Sequence, residues 1–267
     1  MHTADLSNEV PYVPDAALAA GFSNEPIGTH TGKTMMLAEL RSVLAAAPGV
    51  VEFETYRTAA VDDNALAKST AANRSNTLMY LKQLYGLRTE LPVFAAMREL
   101  WPVKHDDQPV IALLCAAARD VLLRTTAEVV IPARVGASVG GADLAVHLAQ
   151  RYPGRYSASS LKNLGQNIAS SWTQGGLLDG ARDKHRTSPV VNSPAVVYAL
   201  YLGHLEGHAG PALFGTWWAR ILDRSEADLR AMAEAAARSG WLEYRSSGGM
   251  MEITFQHLDG ITSWRVP

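Results

Sequence analysis

The chain has 267 residues, 48% of them hydrophobic and 19% charged, with a formal net charge of −2. That is enough for one large or two small domains with a sizeable core, and too balanced for a generally basic nucleic-acid binder. The single cysteine, Cys115, excludes an intrachain disulfide framework and a cysteine-built zinc site, and its place in the apolar run VIALLCAAARDVLL marks it as a buried helix residue.

Residues 1–28 hold Pro11, Pro14 and Pro26 among polar residues and read as an N-terminal arm, surface-bound or partly disordered. The N-terminus lacks a basic-then-apolar signal, and no apolar run reaches the ~18 residues of a membrane span, so a cytoplasmic protein is expected. Residues 31–47 are a helical candidate through Met35, Met36, Leu40, Val43 and Leu44. Residues 62–85 suggest two helices split near Ser69-Thr70, the second capped by one of these and ended by Gly86. Pro92 to Leu100 is a short helix, and Pro109 to Ala127 an almost continuous apolar one. Val129 to Ile131 could be a short strand. Pro132, Gly136 and Gly140-Gly141 then mark a break, dividing a helical domain at 29–135 from one at 136–267.

The second half reads more sharply. A helix from Ala142 to Tyr152 stops at Pro153-Gly154. Ser157 offers a cap for the next helix, which runs to about Gln174. Leu161, Leu164, Ile168 and Trp172 form its buried stripe, leaving Ser160, Lys162, Asn163, Gln166, Asn167, Ser170 and Thr173 outward. Helices follow over Pro194 to Leu205, over ALFGTWWARIL and over Glu226 to Ser239, and the last feeds the hairpin WLEYR–SSGG–MMEITF in the manner of a winged helix. The expected fold is mainly α: two packed helical domains with helix-turn-helix or winged-helix-like units and one or two short β-hairpins.

Charge singles out one stretch. Residues 151–186 carry Arg151, Arg155, Lys162, Arg182, Lys184 and Arg186 against Asp179 and Asp183, with no acid between Arg155 and Asp179. A polyanion fits that pattern. Asn163, Gln166 and Asn167 could meet base edges, and the basic collar phosphates. The same residues also suit a solvated amphipathic helix beside a charged loop. Arg245, next to SSGG, could touch a phosphate as a wing tip.

Other motifs fall short. Gly32-Lys33-Thr34 lacks phosphate-loop spacing, since Gly28 stands one place too close. His204 and His208 share HLEGH, but Glu206 is one place late for a zinc hydrolase. Asp62-Asp63 and Asp106-Asp107 read as solvated loops. No Gly-x-Ser-x-Gly elbow is present, and no cofactor or small-molecule substrate is expected.

In their order and spacing, TGKTMMLAEL, NALAKSTAANRSNTLMYLKQLYGL, PVFAAMRELW, SASSLKNLGQNIASSWTQGGLL, SPAVVYALYLGHLEG and AAARSGWLEYRSSGGMMEITF resemble the BrxA family of BREX bacteriophage-defence systems. Residues 1–28 fall outside the resemblance. It implies a compact, mainly helical, non-enzymatic component that binds double-stranded DNA. That component works beside other BREX components: a methyltransferase, an ATPase and an alkaline-phosphatase-like protein. It offers no catalytic residues. It points to two helix-turn-helix-like segments, Lys162 to Asn167 and one near Lys68 and Arg74. The alternatives are a protein-interaction scaffold, whose basic collar meets an acidic partner, and a helix-turn-helix transcriptional regulator.

Overall fold

The computed structural model describes residues 13–49, 51–248 and 250–261. Residues 1–12 of the expected arm lie outside the described residues. The rest of it is packed: α1 (Asp15–Leu18) and its flanks bury Val13, Ala17, Ala20 and Phe22. Arg119 and Arg124 hold this segment by donating to Gly21 O at 2.6 Å and Ser23 O at 2.8 Å.

A 3-10 turn at Thr29–Thr31 leads to α2 (Leu37–Ala46), which begins later than the apolar spacing predicts. The backbone N–H groups of Met35 and Leu37 are taken by distant side chains, Ser171 Oγ at 2.8 Å and Gln174 Oε1 at 3.0 Å. Met36 between them is left-handed, with φ 54°. After α3 (Phe53–Arg57) and a π turn at Thr58–Asp62, Asn64 and Ala67 also take positive φ. Only one of the two helices expected over 62–85 therefore forms there, α4 (Ala71–Tyr85). Thr70 caps it and Gly86 ends it at φ 83°.

α5 (Pro92–Leu100) is as expected. The long apolar helix is two, α6 (Gln108–Arg119) and α7 (Val121–Val130). Asp120 breaks it: its backbone leaves the helical region at φ −122°, ψ 105°, and its Oδ1 caps the second helix by accepting from Leu122 N–H at 2.9 Å. Val129 to Ile131 are not a strand; they finish α7. Asp107 is not solvated either. It is fully buried and accepts from Asn192 N–H, Asn192 Nδ2 and Ala195 N–H, which fixes the start of α10.

The second half runs α8 (Gly141–Arg151), α9 (Ala158–Gln174), β1 (Leu178–Asp179), β2 (His185–Arg186), α10 (Ser193–Leu205), α11 (Trp217–Ile221), α12 (Glu226–Arg238), β3 (Glu243–Ser247), β4 (Met250–Thr254) and α13 (Gln256–Ile261). The ALFGTWWARIL segment is broken, with a 3-10 turn at Gly210–Gly215 before Thr216 caps α11. Both sheets are antiparallel pairs, in register Leu178↔Arg186 and Glu243↔Thr254. Ser138 bridges to His185, placing a third short segment beside β2. α6 and α10 are apolar nearly all round and lie at the centre, where α6 meets α4, α5, α7, α9 and α10. One buried cluster runs without interruption from Val13 to Leu258. Among the described residues, no helix is long and apolar enough to cross a membrane.

Candidate nucleic-acid interface

α9 is positioned by its cap and by three distinct faces. Ser157 Oγ accepts from Ser160 N–H at 3.2 Å, starting the helix where the sequence places it. The apolar stripe is as expected for Leu164, Ile168 and Trp172, which are buried; Leu161 is half-buried. Trp172 Nε1 donates to Thr126 Oγ1 at 2.9 Å, which satisfies the indole inside the core. The second face is polar yet turned inward: Asn167 Nδ2 donates to His30 O at 3.0 Å, Ser171 Oγ receives Met35 N–H, and Gln174 bonds Thr34 and Leu37. The third face is open and holds Lys162, Asn163 and Gln166.

The six basic residues of the collar part company. Arg155 and Arg182 are exposed. Arg151 is half-buried, 3.7 Å from Glu128. Lys184 is almost buried, and its Nζ donates to Thr173 Oγ1 at 3.1 Å and Gly180 O at 3.0 Å. Arg186 is 2% exposed; it donates to Val130 O at 2.9 Å and faces Asp223 at 3.3 Å. Lys184 and Arg186 are thus consumed in pinning the β1–β2 hairpin and do not present their charge to solvent. Ser160 is half-buried against Ser157 Oγ at 3.0 Å.

The N-terminal candidates are also engaged. Lys68 pairs with Glu39 at 3.1 Å, and Arg74 donates to Lys68 O at 3.2 Å. Arg245 sits between Glu243 at 3.0 Å and Glu252 at 3.7 Å. Thr34 of the Gly-Lys-Thr tripeptide accepts from Gln174 Nε2, and no strand-to-helix loop forms there. His204 faces Asp259 at 3.7 Å and packs on Phe255, while His208 lies 4.0 Å from Glu206. No group of three His, Cys, Asp or Glu that could hold a metal ion occurs among the described residues. Burial pushes the Cys115 thiol up to about 11.

The fold also assembles a set that the sequence does not announce. His30 Nδ1 lies 2.5 Å from Asp120 Oδ2 and its Nε2 lies 2.9 Å from Ser171 Oγ. The order is that of a hydrolase triad, but all three residues are fully buried, and Ser171 Oγ also holds Met35 N–H and Asn167 O. It acts here as a tie between the Thr29–Thr31 turn, the α6–α7 break and α9. With 90 and 141 residues separating the partners, spacing gives no signal of it.

No protein-family model matches the chain, and no curated protein matches it.

Proposed function

We propose that this chain binds double-stranded DNA through the open face of α9, as a non-enzymatic accessory component of a BREX-type defence system, the role that its resemblance to the BrxA family implies. One observation carries the reading: Arg155, Lys162, Asn163, Gln166 and Arg182 are all exposed on or beside a helix that has no carboxylate. The element order supports it. α7, the segment at Ser138, α8, α9, β1, a short loop and β2 follow the order of a winged helix, with α9 in the recognition position. The N-terminal end of α9 also carries the positive end of the helix dipole, which favours a nearby phosphate. The amides face where base edges lie in a major groove, and the cations meet the backbone on either side. Phosphate contacts dominate, so binding tolerates sequence.

The test is a titration of random duplex at several salt concentrations with Arg155, Lys162 and Arg182 all changed to Gln. Affinity is expected to drop strongly, and the log–log salt slope to fall by about 0.9 for each phosphate no longer neutralised. A folded triple variant with wild-type affinity and slope overturns the proposal.

A further inference from the structure

α2, the end of α5 and the start of α6 leave an open cleft of about 340 Å³ between them. Two guanidinium groups line it, and neither has a carboxylate partner among the described residues. Arg98, on α5, is 7% exposed. Its Nη2 donates to Ala47 O at 3.1 Å and to Leu44 O at 3.4 Å, at the C-terminal end of α2. Its Nε is buried and has no hydrogen-bond partner. The Tyr56 hydroxyl lies close to this guanidinium but makes no hydrogen bond of good geometry, and a neutral phenol does not balance the charge. Arg41, on α2, is half-buried. Its Nε donates to Gln108 Oε1 at 3.0 Å, and Gln108 Nε2 in turn donates to Trp101 O at 3.2 Å, which holds the Arg41 side chain against the cleft.

A buried guanidinium without a counter-charge is costly, and the carbonyl dipoles at the end of α2 answer only part of its charge. The nearby acids do not supply the rest. No carboxylate lines the cleft. Asp107, next to Gln108, turns both oxygens to Asn192 and Ala195. Asp106 is exposed and is not part of the cleft wall.

We propose that this cleft is a binding site for a phosphate group, free or carried on a small molecule, with Arg98 and Arg41 as its two guanidinium forks. The fixed donors of such a fork match the oxygens of a phosphate. Because Gln108 holds Arg41 in place beforehand, less side-chain freedom is lost on binding. His105, exposed on the rim, offers a further donor. Pro48, Trp101 and Pro102 form an apolar flank for the body of a phosphomonoester. The site shares no residue with the open face of α9, so it is additional to DNA binding.

Isothermal titration calorimetry of the full chain at fixed ionic strength, with inorganic phosphate and with phenyl phosphate, tests this. Saturable binding is expected. Tighter binding of phenyl phosphate assigns the site to a phosphomonoester, and binding no tighter than that of inorganic phosphate assigns it to the free ion; either sustains the proposal. Ala45→Glu sets a carboxylate at an exposed position on the cleft wall. That variant and Arg41→Gln are each expected to bind about tenfold or more weakly while keeping the wild-type circular dichroism. Arg98→Lys keeps the charge, loses the fork and is expected to bind more weakly as well; if it does not fold, the other two variants decide. Absence of saturable binding by both ligands, or wild-type affinity in Ala45→Glu and Arg41→Gln, overturns the proposal. The variant with Arg155, Lys162 and Arg182 all changed to Gln should keep its phosphate binding. Loss there would place the phosphate on α9 and overturn the proposal too, so this result and the duplex titration stand or fall separately.

Discussion

Arg186 and Lys162 carry the same charge in the same acid-poor stretch, and the fold gives them different work. Lys162 is exposed, whereas Arg186 is buried with its guanidinium spread over Val130 O, Thr187 O and Asp223. Removing one partner of a buried charged set leaves the others unpaired, at a cost of about 3–5 kcal/mol. Because Asp223 is 31% exposed, Arg186→Gln is expected near the lower end of that range in urea unfolding. Lys162→Gln should leave the urea midpoint in place and weaken duplex binding. Charge and spacing point to both residues equally; only the meeting of β2 with α7, more than fifty residues away, separates them. Glu206 shows a second effect that composition cannot reveal. Burial raises its carboxyl to about 7, against the smaller opposing pull of the Trp218 N–H and Arg124, although Trp218 Nε1 makes no hydrogen bond of good geometry. Between its unfolded value of 4.5 and about 7 the folded protein holds the proton more tightly. Stability therefore falls as pH rises through that window, by an amount of order 2–3 kcal/mol. Glu206→Gln should flatten that slope and melt above the wild type at pH 8, as measured by thermal unfolding. An unchanged pH profile would remove Glu206 as its source.

At the scale of the element, α9 shows what periodicity can and cannot reveal. The stripe Leu164, Ile168 and Trp172 is legible from spacing because apolar side chains have one favourable destination. Trp172→Ala should cost roughly 3–5 kcal/mol, and a shift in the denaturation midpoint worth under ~1 kcal/mol would place the ring outside the core. Asn167, Ser171 and Gln174 are different, since an amide or hydroxyl satisfies itself equally with water or with a distant backbone. Here the backbone is the segment 30–37, and the resulting ties delay the start of α2. Asp120 is the same kind of case. One acid inside an apolar run is a visible break signal, yet hydrophobic continuity points to one long helix. Gly165 carries the remaining constraint. Gly165→Ala places a methyl against the backbone of α8 and forces the helices apart, so a loss of at least about 1–3 kcal/mol is expected in thermal unfolding.

At the scale of the molecule, the turn signals near Pro132 to Gly141 do mark a change of direction, but the buried cluster continues through them. α6, from the first half, packs on α9 and α10, from the second, and α7 packs on α8. Gly175 shows how close this packing is: a Cβ there would come within 2.6 Å of Leu113. A sequence break reports local backbone chemistry, whereas independence requires each side to hold its own core. A piece comprising 136–267 would expose the α9 and α10 surfaces that α6 covers, and would lose every tie from His30, Met35 and Leu37. We therefore expect that piece to lack the near-ultraviolet circular dichroism of fixed aromatic packing. The full chain should instead show one calorimetric transition whose measured enthalpy equals its van't Hoff value. A cooperative melt of the isolated piece, or two resolved transitions in the full chain, would mean that α6 joins two self-sufficient bodies. The open face of α9 would then not need the first half to hold its shape, and the isolated piece should bind duplex with the wild-type salt slope.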